Sequence, residues 1–151
     1  MYDMVSDIVN VLEPILSRKH VVVEVDSNDK SIERKVFKSD FESIFYNLII
    51  NSIEAFEKSR CRERNISIYM NNDSENIMFV YKDNGPGLAD MFENPYEIFD
   101  YGTTSKVDKE GNTIGTGMGM YIVASTLREY DSLPIVKEYK KGLELQMKIK
   151  R

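Results

Sequence analysis

Several short segments of this 151-residue chain carry residue types at spacings that point to one piece of chemistry. Along Asp40 to Ser59, a helical turn of about 100° per residue puts Phe41, Phe45, Leu48, Ile49, Ser52 and Phe56 on one face. It puts Asn47, Asn51, Glu54 and Lys58 on the edge beside that face. Amides and a carboxylate aligned on a helix edge suit a hard cation such as Mg²⁺, and they equally suit a solvated surface. Asp83-Asn84-Gly85-Pro86-Gly87-Leu88 follows an apolar run. Its carboxylate can accept from a ligand amino group where glycines permit close approach, or the segment is a plain tight turn. Gly115-Thr116-Gly117-Met118-Gly119-Met120 opens a helix, so its backbone N–H groups can cradle a phosphate, or it can serve as a hinge. It is neither a P-loop, which needs Gly-Lys-Ser/Thr, nor the dinucleotide fingerprint. Between these, Phe99-Asp100-Tyr101-Gly102-Thr103-Thr104-Ser105-Lys106 joins hydroxyls and a lysine around a small residue, as a closing lid or a polar loop would.

The elements that must position these residues are legible from periodicity. Val5, Ile8, Val9, Leu12, Ile15 and Leu16 predict an amphipathic helix over 1–17, kinked or frayed at Pro14. Val21 to Val25 reads as a strand, with a short return strand over 33–37. Ser39 or Asp40, with Glu42 following, predicts a capping box at the head of the long helix, which ends near Ser59. Ile66–Met70 and Ile77–Tyr81 flank Asn71-Asn72-Asp73-Ser74 as a hairpin. A long loop-like stretch, 83–117, holds a helical patch near 95–99 and is of the length that usually serves function. A helix over 119–130 and strands over 134–140 and 143–150 complete the chain. Hairpins separated by helices predict one domain over 1–151, an α+β two-layer sandwich with helices on one face of a mixed sheet.

Composition narrows the function. A net charge of −5 argues against a protein that coats nucleic acid. The single cysteine, Cys61, permits no internal disulfide and suits a reducing, cytoplasmic setting. No run is long and apolar enough for a membrane span, so no direct membrane insertion by this chain is expected.

The motifs together, in this order, resemble the GHKL ATP-binding superfamily of gyrase, heat-shock chaperone, histidine kinase and mismatch-repair ATPases. The similarity is to the histidine-kinase ATP-binding domain in particular and covers nearly the whole chain. Asn47 to Ala55 resembles its N box and Asp83 to Gly87 its first glycine box. Ile98 to Lys106 resembles its F box and lid, and Gly115 to Val123 its second glycine box. The resemblance implies a Bergerat-type ATP-binding fold with ATP and Mg²⁺ as cofactors. It implies that Asp83 accepts from the adenine amino group, with Gly85 and Gly87 in the turn that lets the base approach. Asn47, Asn51 and Glu54 become the candidate catalytic residues, with Asn51 the ligand of Mg²⁺. Phe99, Thr103, Thr104 and Lys106 would belong to the F box and to a lid spanning 100–116. Gly115, Thr116, Gly117, Met118 and Gly119 would hold the β- and γ-phosphates.

An asparagine at 47 replaces the glutamate that activates water in hydrolysing branches, which disfavours ATP hydrolysis. Glu54 stands where many histidine kinases carry a lysine or arginine, and its reading as base, orienting group or surface residue stays open. The stretch 131–134 lacks the glycine pair the family often shows, so the last strands can be arranged differently. His20, the sole histidine, lies at a strand start rather than on a dimerisation helix. The resemblance therefore implies the ATP-binding half of a sensor histidine kinase, in the cytoplasm or on the cytoplasmic side of a membrane-bound sensor. Its partners would be a histidine-bearing dimerisation domain and, through it, a response regulator, with no nucleic acid. A clamp-type or chaperone-type ATPase and a nucleotide-gated binding module are the alternatives.

Overall fold

The computed structural model describes residues 1–106, 110 and 115–151. In chain order these form α1 (Tyr2–Lys19), β1 (Val22–Ser27), α2 (Lys38–Ser59), β2 (Asn65–Asn72) and β3 (Asn76–Asp83). A 3-10 helix (Pro95–Phe99), α3 (Gly119–Arg128), β4 (Pro134–Glu138) and β5 (Glu144–Lys150) follow.

Helix α1 forms because Val5, Ile8, Val9 and Leu16 recur at helical spacing, and all four are buried. It runs through Pro14 to Lys19. Pro14 forfeits one backbone bond on the exposed side, while the buried Leu16 anchors the turn beyond it. His20, left-handed at φ 53°, closes the helix. Helix α2 starts at Lys38 without a side-chain cap, so the capping box expected at Ser39, Asp40 and Glu42 does not form. Asp40 is occupied elsewhere: its carboxylate accepts from the Tyr130 hydroxyl at 2.6 Å, which ties the head of α2 to the chain just beyond α3. A capping box does form at the 3-10 helix, where Asn94 accepts from the Tyr96 N–H and Glu97 from the Asn94 N–H.

The sheet has five strands in the order β1-β2-β3-β5-β4. Strands β1 and β2 are parallel and the other pairs antiparallel, as a mixed sheet requires. The return strand expected over 33–37 is absent. Parallel neighbours need a crossover, and that stretch is used to carry the chain from β1 into α2. Alternation along the strands turns Ile66, Ile68 and Met70, then Ile77, Phe79 and Tyr81, then Leu145, Met147 and Ile149 to one buried face. The helices pack there. Phe79 meets Phe41 and Phe45 of α2 with ring centroids 5.4 and 5.9 Å apart. Each such side chain contributes about 2–3 kcal/mol on burial. The opposite face carries Ser67, Tyr69 and Lys82, all exposed. The result is the α+β two-layer sandwich read from the sequence. Among the described residues no helix is long and apolar enough to cross a membrane.

Candidate functional site

The alternation that buries Tyr81 also turns Asp83, two residues on and last in β3, toward the helices. Asp83 is only 6% exposed, and its carboxylate is nearly filled by protein donors. Oδ1 accepts from the backbone N–H of Gly85 at 2.9 Å and of Leu143 at 3.2 Å. Oδ2 accepts from the Ser52 hydroxyl of α2 at 2.6 Å. Ser52 spends its one proton on Asp83, so Tyr81 donates to Ser52 Oγ at 2.7 Å. Burial pushes the Tyr81 phenol well above its ordinary value of 10.0, the Ser52 bond works against this, and the Asp83 charge adds to it. Tyr81 therefore keeps its proton. A carboxylate offers about four acceptor positions, so Oδ2 retains one for a donor from outside the protein.

Asp83 lines a cavity of about 400 Å³ between α2, the chain after β3 and the start of α3. That volume is within the range of small-molecule sites. At the Asp83 end Leu143 forms part of the wall, and further apolar lining residues include Leu88, Phe92, Ile98 and Met120. The β4–β5 connection closes this end. Leu88 N–H donates to the Tyr139 carbonyl at 2.7 Å, and Gly87 lies so close that a Cβ would stand 2.3 Å from the same oxygen. Gly142, at φ +87°, passes over Asp83, where a Cβ would stand 2.2 Å from the Asp83 carbonyl oxygen.

The far end is polar. Asn51 and Glu54 reach it from α2, and the ammonium of Lys106 lies between them. Lys106 Nζ is 2.5 Å from Glu54 Oε2 and donates to Asn51 Oδ1 at 3.2 Å. The Lys106 N–H donates to Thr104 Oγ1 at 3.1 Å, and Lys58 donates to the Ser105 carbonyl at 3.4 Å. Gly117, at φ +65°, packs backbone to backbone on Gly102, with 2.2 Å left for a Cβ. Among the described residues, helix α3 begins at Gly119 with no side-chain cap bond, at the edge of the cavity. An uncapped helix start beside a polar cavity favours an anion.

The donor set also tests whether a divalent cation fits. Asn51 offers one neutral amide oxygen, and among the described residues no three His, Cys, Asp or Glu side chains form a metal cluster. Mg²⁺ keeps waters and binds through few protein oxygens plus substrate phosphates. The residues therefore fit a cation that arrives with a polyphosphate, not a resident ion.

Of the residues singled out by sequence, Asn51 and Glu54 of α2 line the cavity, as do Asp83 and Gly87 after β3. Thr103, Thr104 and Lys106 line it from one loop, and Thr116, Gly117 and Gly119 from the head of α3. Five others stand behind it. Gly85 is bonded to Asp83, Phe99 is buried in the core, and Gly115 lies against Thr104 and Lys106. Met118 is the N-cap residue of α3. Asn47 donates to the Ser43 carbonyl at 2.8 Å, and its Oδ1 faces Gly119, where a Cβ would stand 2.9 Å away. Of the segment expected as a lid over 100–116, residues 107–109 and 111–114 lie outside the described residues.

Sequence reasoning placed Ser52 among core residues and did not single out Tyr81, Gly142 or Leu143. A hydroxyl in the apolar row between Leu48 and Phe56, and a tyrosine two residues before Asp83, were the available signals for the first two. The Leu143 contact has no sequence signal, because it depends on where the β4–β5 turn falls in space.

Known proteins resemble this chain in sequence and in fold. The profile of the family described as histidine kinase-, DNA gyrase B-, and HSP90-like ATPase matches residues 37–151. A probable C4-dicarboxylate sensor kinase of Halalkalibacterium halodurans is 22% identical over 111 residues, 74% of this chain and 20% of that protein. The sensor histidine kinase DpiB of Escherichia coli is 24% identical over 87 residues, 58% of this chain and 15% of that protein. The chain thus spans a fifth or less of the length of these curated relatives. The catalytic domain of the histidine kinase ThkA superposes with a TM-score of 0.77 at 15% identity, over 98% of this chain and 92% of that one. Full-length ShkA in complex with AMPPNP superposes at 0.75 and 16% identity, over 98% of this chain and 29% of that one. At these identities the likeness is one of fold. The family profile spans most of the chain and takes in both ends of the cavity, from Asn51 to Gly119, and the chain belongs to the histidine kinase-, DNA gyrase B- and HSP90-like ATPase family.

Proposed function

We propose that this chain is the ATP-binding catalytic domain of a sensor histidine kinase, donating the γ-phosphate of ATP to a histidine on a separate dimerisation domain, which then passes it to a response regulator. The observation that carries the reading is the polarity of the cavity: one remaining acceptor on Asp83 at the apolar end, and an amide, an ammonium and an uncapped helix start at the other. An adenine amino group satisfies the first and a polyphosphate the second. Asp83 selects the base, and the apolar walls exclude water from it. Asn51 holds Mg²⁺, which supplies charge neutralisation on the phosphates. The backbone of Gly117 and Gly119 receives the phosphate oxygens, with Asn47 supporting Gly119 from behind, and Thr103, Thr104 and Lys106 close over them as part of a lid. Phosphoryl transfer needs mostly positioning and charge stabilisation, and these groups provide both.

Among the described residues, the amide at Asn47 and the engagement of Glu54 with Lys106 leave neither as a free carboxylate base, which favours transfer over hydrolysis. The sensor kinases among the relatives support the same choice. The test is a calorimetric titration of the chain with Mg-ATP beside an assay of ADP release. Saturable, Mg²⁺-dependent binding with negligible ADP release is expected. Steady turnover would favour a clamp-type ATPase, and absence of binding would overturn the nucleotide site.

A further inference from the structure

Glu54 has no place in the phosphate-binding machinery just described, yet its carboxylate is ion-paired with Lys106. The ammonium it holds also donates to Asn51 Oδ1, the oxygen assigned to the divalent cation. We propose that Glu54 is a positioning residue for Lys106, keeping its ammonium against the Asn51 oxygen and cancelling its charge, so that ammonium and Mg²⁺ compete for one ligand. The inference rests on the nucleotide reading and extends it: the pair makes phosphate binding depend on the divalent cation.

Two cations cannot share one amide oxygen at contact distance without strong repulsion. Entry of a cation with a polyphosphate therefore moves Lys106 off Asn51, while Glu54, one helical turn along α2, keeps the displaced ammonium as its counter-ion. Glu54 also carries a full negative charge at the phosphate end of the cavity, which it lines. Paired with Lys106, the two contribute almost no net charge there, so the pair itself adds little attraction for a metal-free polyphosphate. The Lys58 bond to the Ser105 carbonyl anchors the same loop to α2 one turn further on. The loop that bears Lys106 is thus tied to the helix that bears the cation ligand. Both partners are nearly half exposed, so the pair acts through local charge and position, with little effect on fold stability.

The experiment measures ATP affinity with Mg²⁺ and with EDTA for the 151-residue chain, Glu54→Gln, Lys106→Gln and the double variant. The quantity read is the ratio of the two dissociation constants. Glu54→Gln leaves the ammonium uncompensated and lowers the ratio about fivefold, by strengthening metal-free binding. Lys106→Gln leaves the carboxylate uncompensated and raises the ratio by about as much. The double variant returns close to the starting value. A ratio unmoved by Glu54→Gln, or a double variant that keeps the ratio of either single variant, would overturn the proposal. Amide hydrogen exchange over 103–106 without nucleotide gives a second readout. Both single variants should speed it, and the double should do no more than either. Faster exchange with no ATP binding by any form would sustain the tether and overturn the nucleotide reading. Unchanged exchange would overturn the tether itself.

Discussion

Ser52 Oγ donates to Asp83 Oδ2 at 2.6 Å, joining the middle of α2 to the last residue of β3. The bond fixes which lone pair of the carboxylate remains open, and Tyr81 fixes the direction of the bond by donating to Ser52. Among the described residues Ser52→Ala removes the acceptor of the buried Tyr81 hydroxyl, and it frees Asp83. It should cost about 1–3 kcal/mol in urea denaturation and weaken ATP binding. Tyr81→Phe leaves the Ser52–Asp83 bond in place and should cost about 1 kcal/mol, with ATP affinity near wild type. Equal losses of ATP affinity in the two variants would show that the bond direction is irrelevant.

Asp83→Asn places an amide NH₂ where Oδ2 stood, since the Gly85 and Leu143 N–H groups demand an oxygen at Oδ1. A donor then faces the adenine amino group. ATP affinity should fall about tenfold or more, and the preference for ATP over GTP should shrink in competition titrations. An unchanged preference would put the base elsewhere.

Asn51→Ala removes the proposed cation ligand, an amide whose partner is the half-exposed Lys106. Mg²⁺-dependent ATP binding and phosphotransfer should be lost, with a melting temperature close to wild type. Unfolding, or full retention of binding, would contradict the assignment.

Gly142→Ala combines a φ of +87° with a Cβ 2.2 Å from the Asp83 carbonyl oxygen, and that neighbour is backbone and cannot swing aside. A loss of about 2 kcal/mol or more is expected, together with weaker ATP binding, because Leu143 would shift away from Asp83. Gly102→Ala is the control: φ is +75°, yet nothing lies within 4 Å of the added carbon. It should cost about 1 kcal/mol and leave binding unchanged. Similar penalties at both positions would show that backbone conformation, and not the contact with Asp83, governs position 142.

Glu138 accepts from the backbone N–H groups of Lys140, Tyr139 and Lys141, which lowers its pKa below the ordinary 4.5. A lowered folded value means that the stabilisation is present above pH 4.5 and is lost as pH falls through the folded pKa. The amide signals of residues 139–141 should therefore move with acidification below that value, and Glu138→Gln should abolish the movement. Asp29 and Asp73 are lowered in the same direction by their own hydrogen bonds, so the local amides, not global stability, are the readout.

Much of the site was legible because local rules govern it. Helical spacing set Asn51 and Glu54 on one edge of α2 beside the apolar row, and strand alternation turned Asp83 inward with Tyr81. The glycine run marked the start of α3. Local rules misled where a residue had a distant partner. Asp40 satisfies every local requirement of a cap, yet it is held by Tyr130, 90 residues away. The stretch 33–37 has strand-like residues, but the parallel pairing of β1 with β2 requires it as a connection.

The sequence by itself determined the α+β class, the order of the elements apart from the strand expected over 33–37, and the residue types facing the cavity, since these follow from periodicity and from motifs a few residues long. Only the tertiary structure decided how those residues are used. Asp83 accepts from donors on three separate segments, at 52, 85 and 143. Lys106 reaches across 55 positions to Asn51. Such contacts arise from how the layers stack and where the loops cross them, and no spacing along the chain encodes a distance between elements far apart in it.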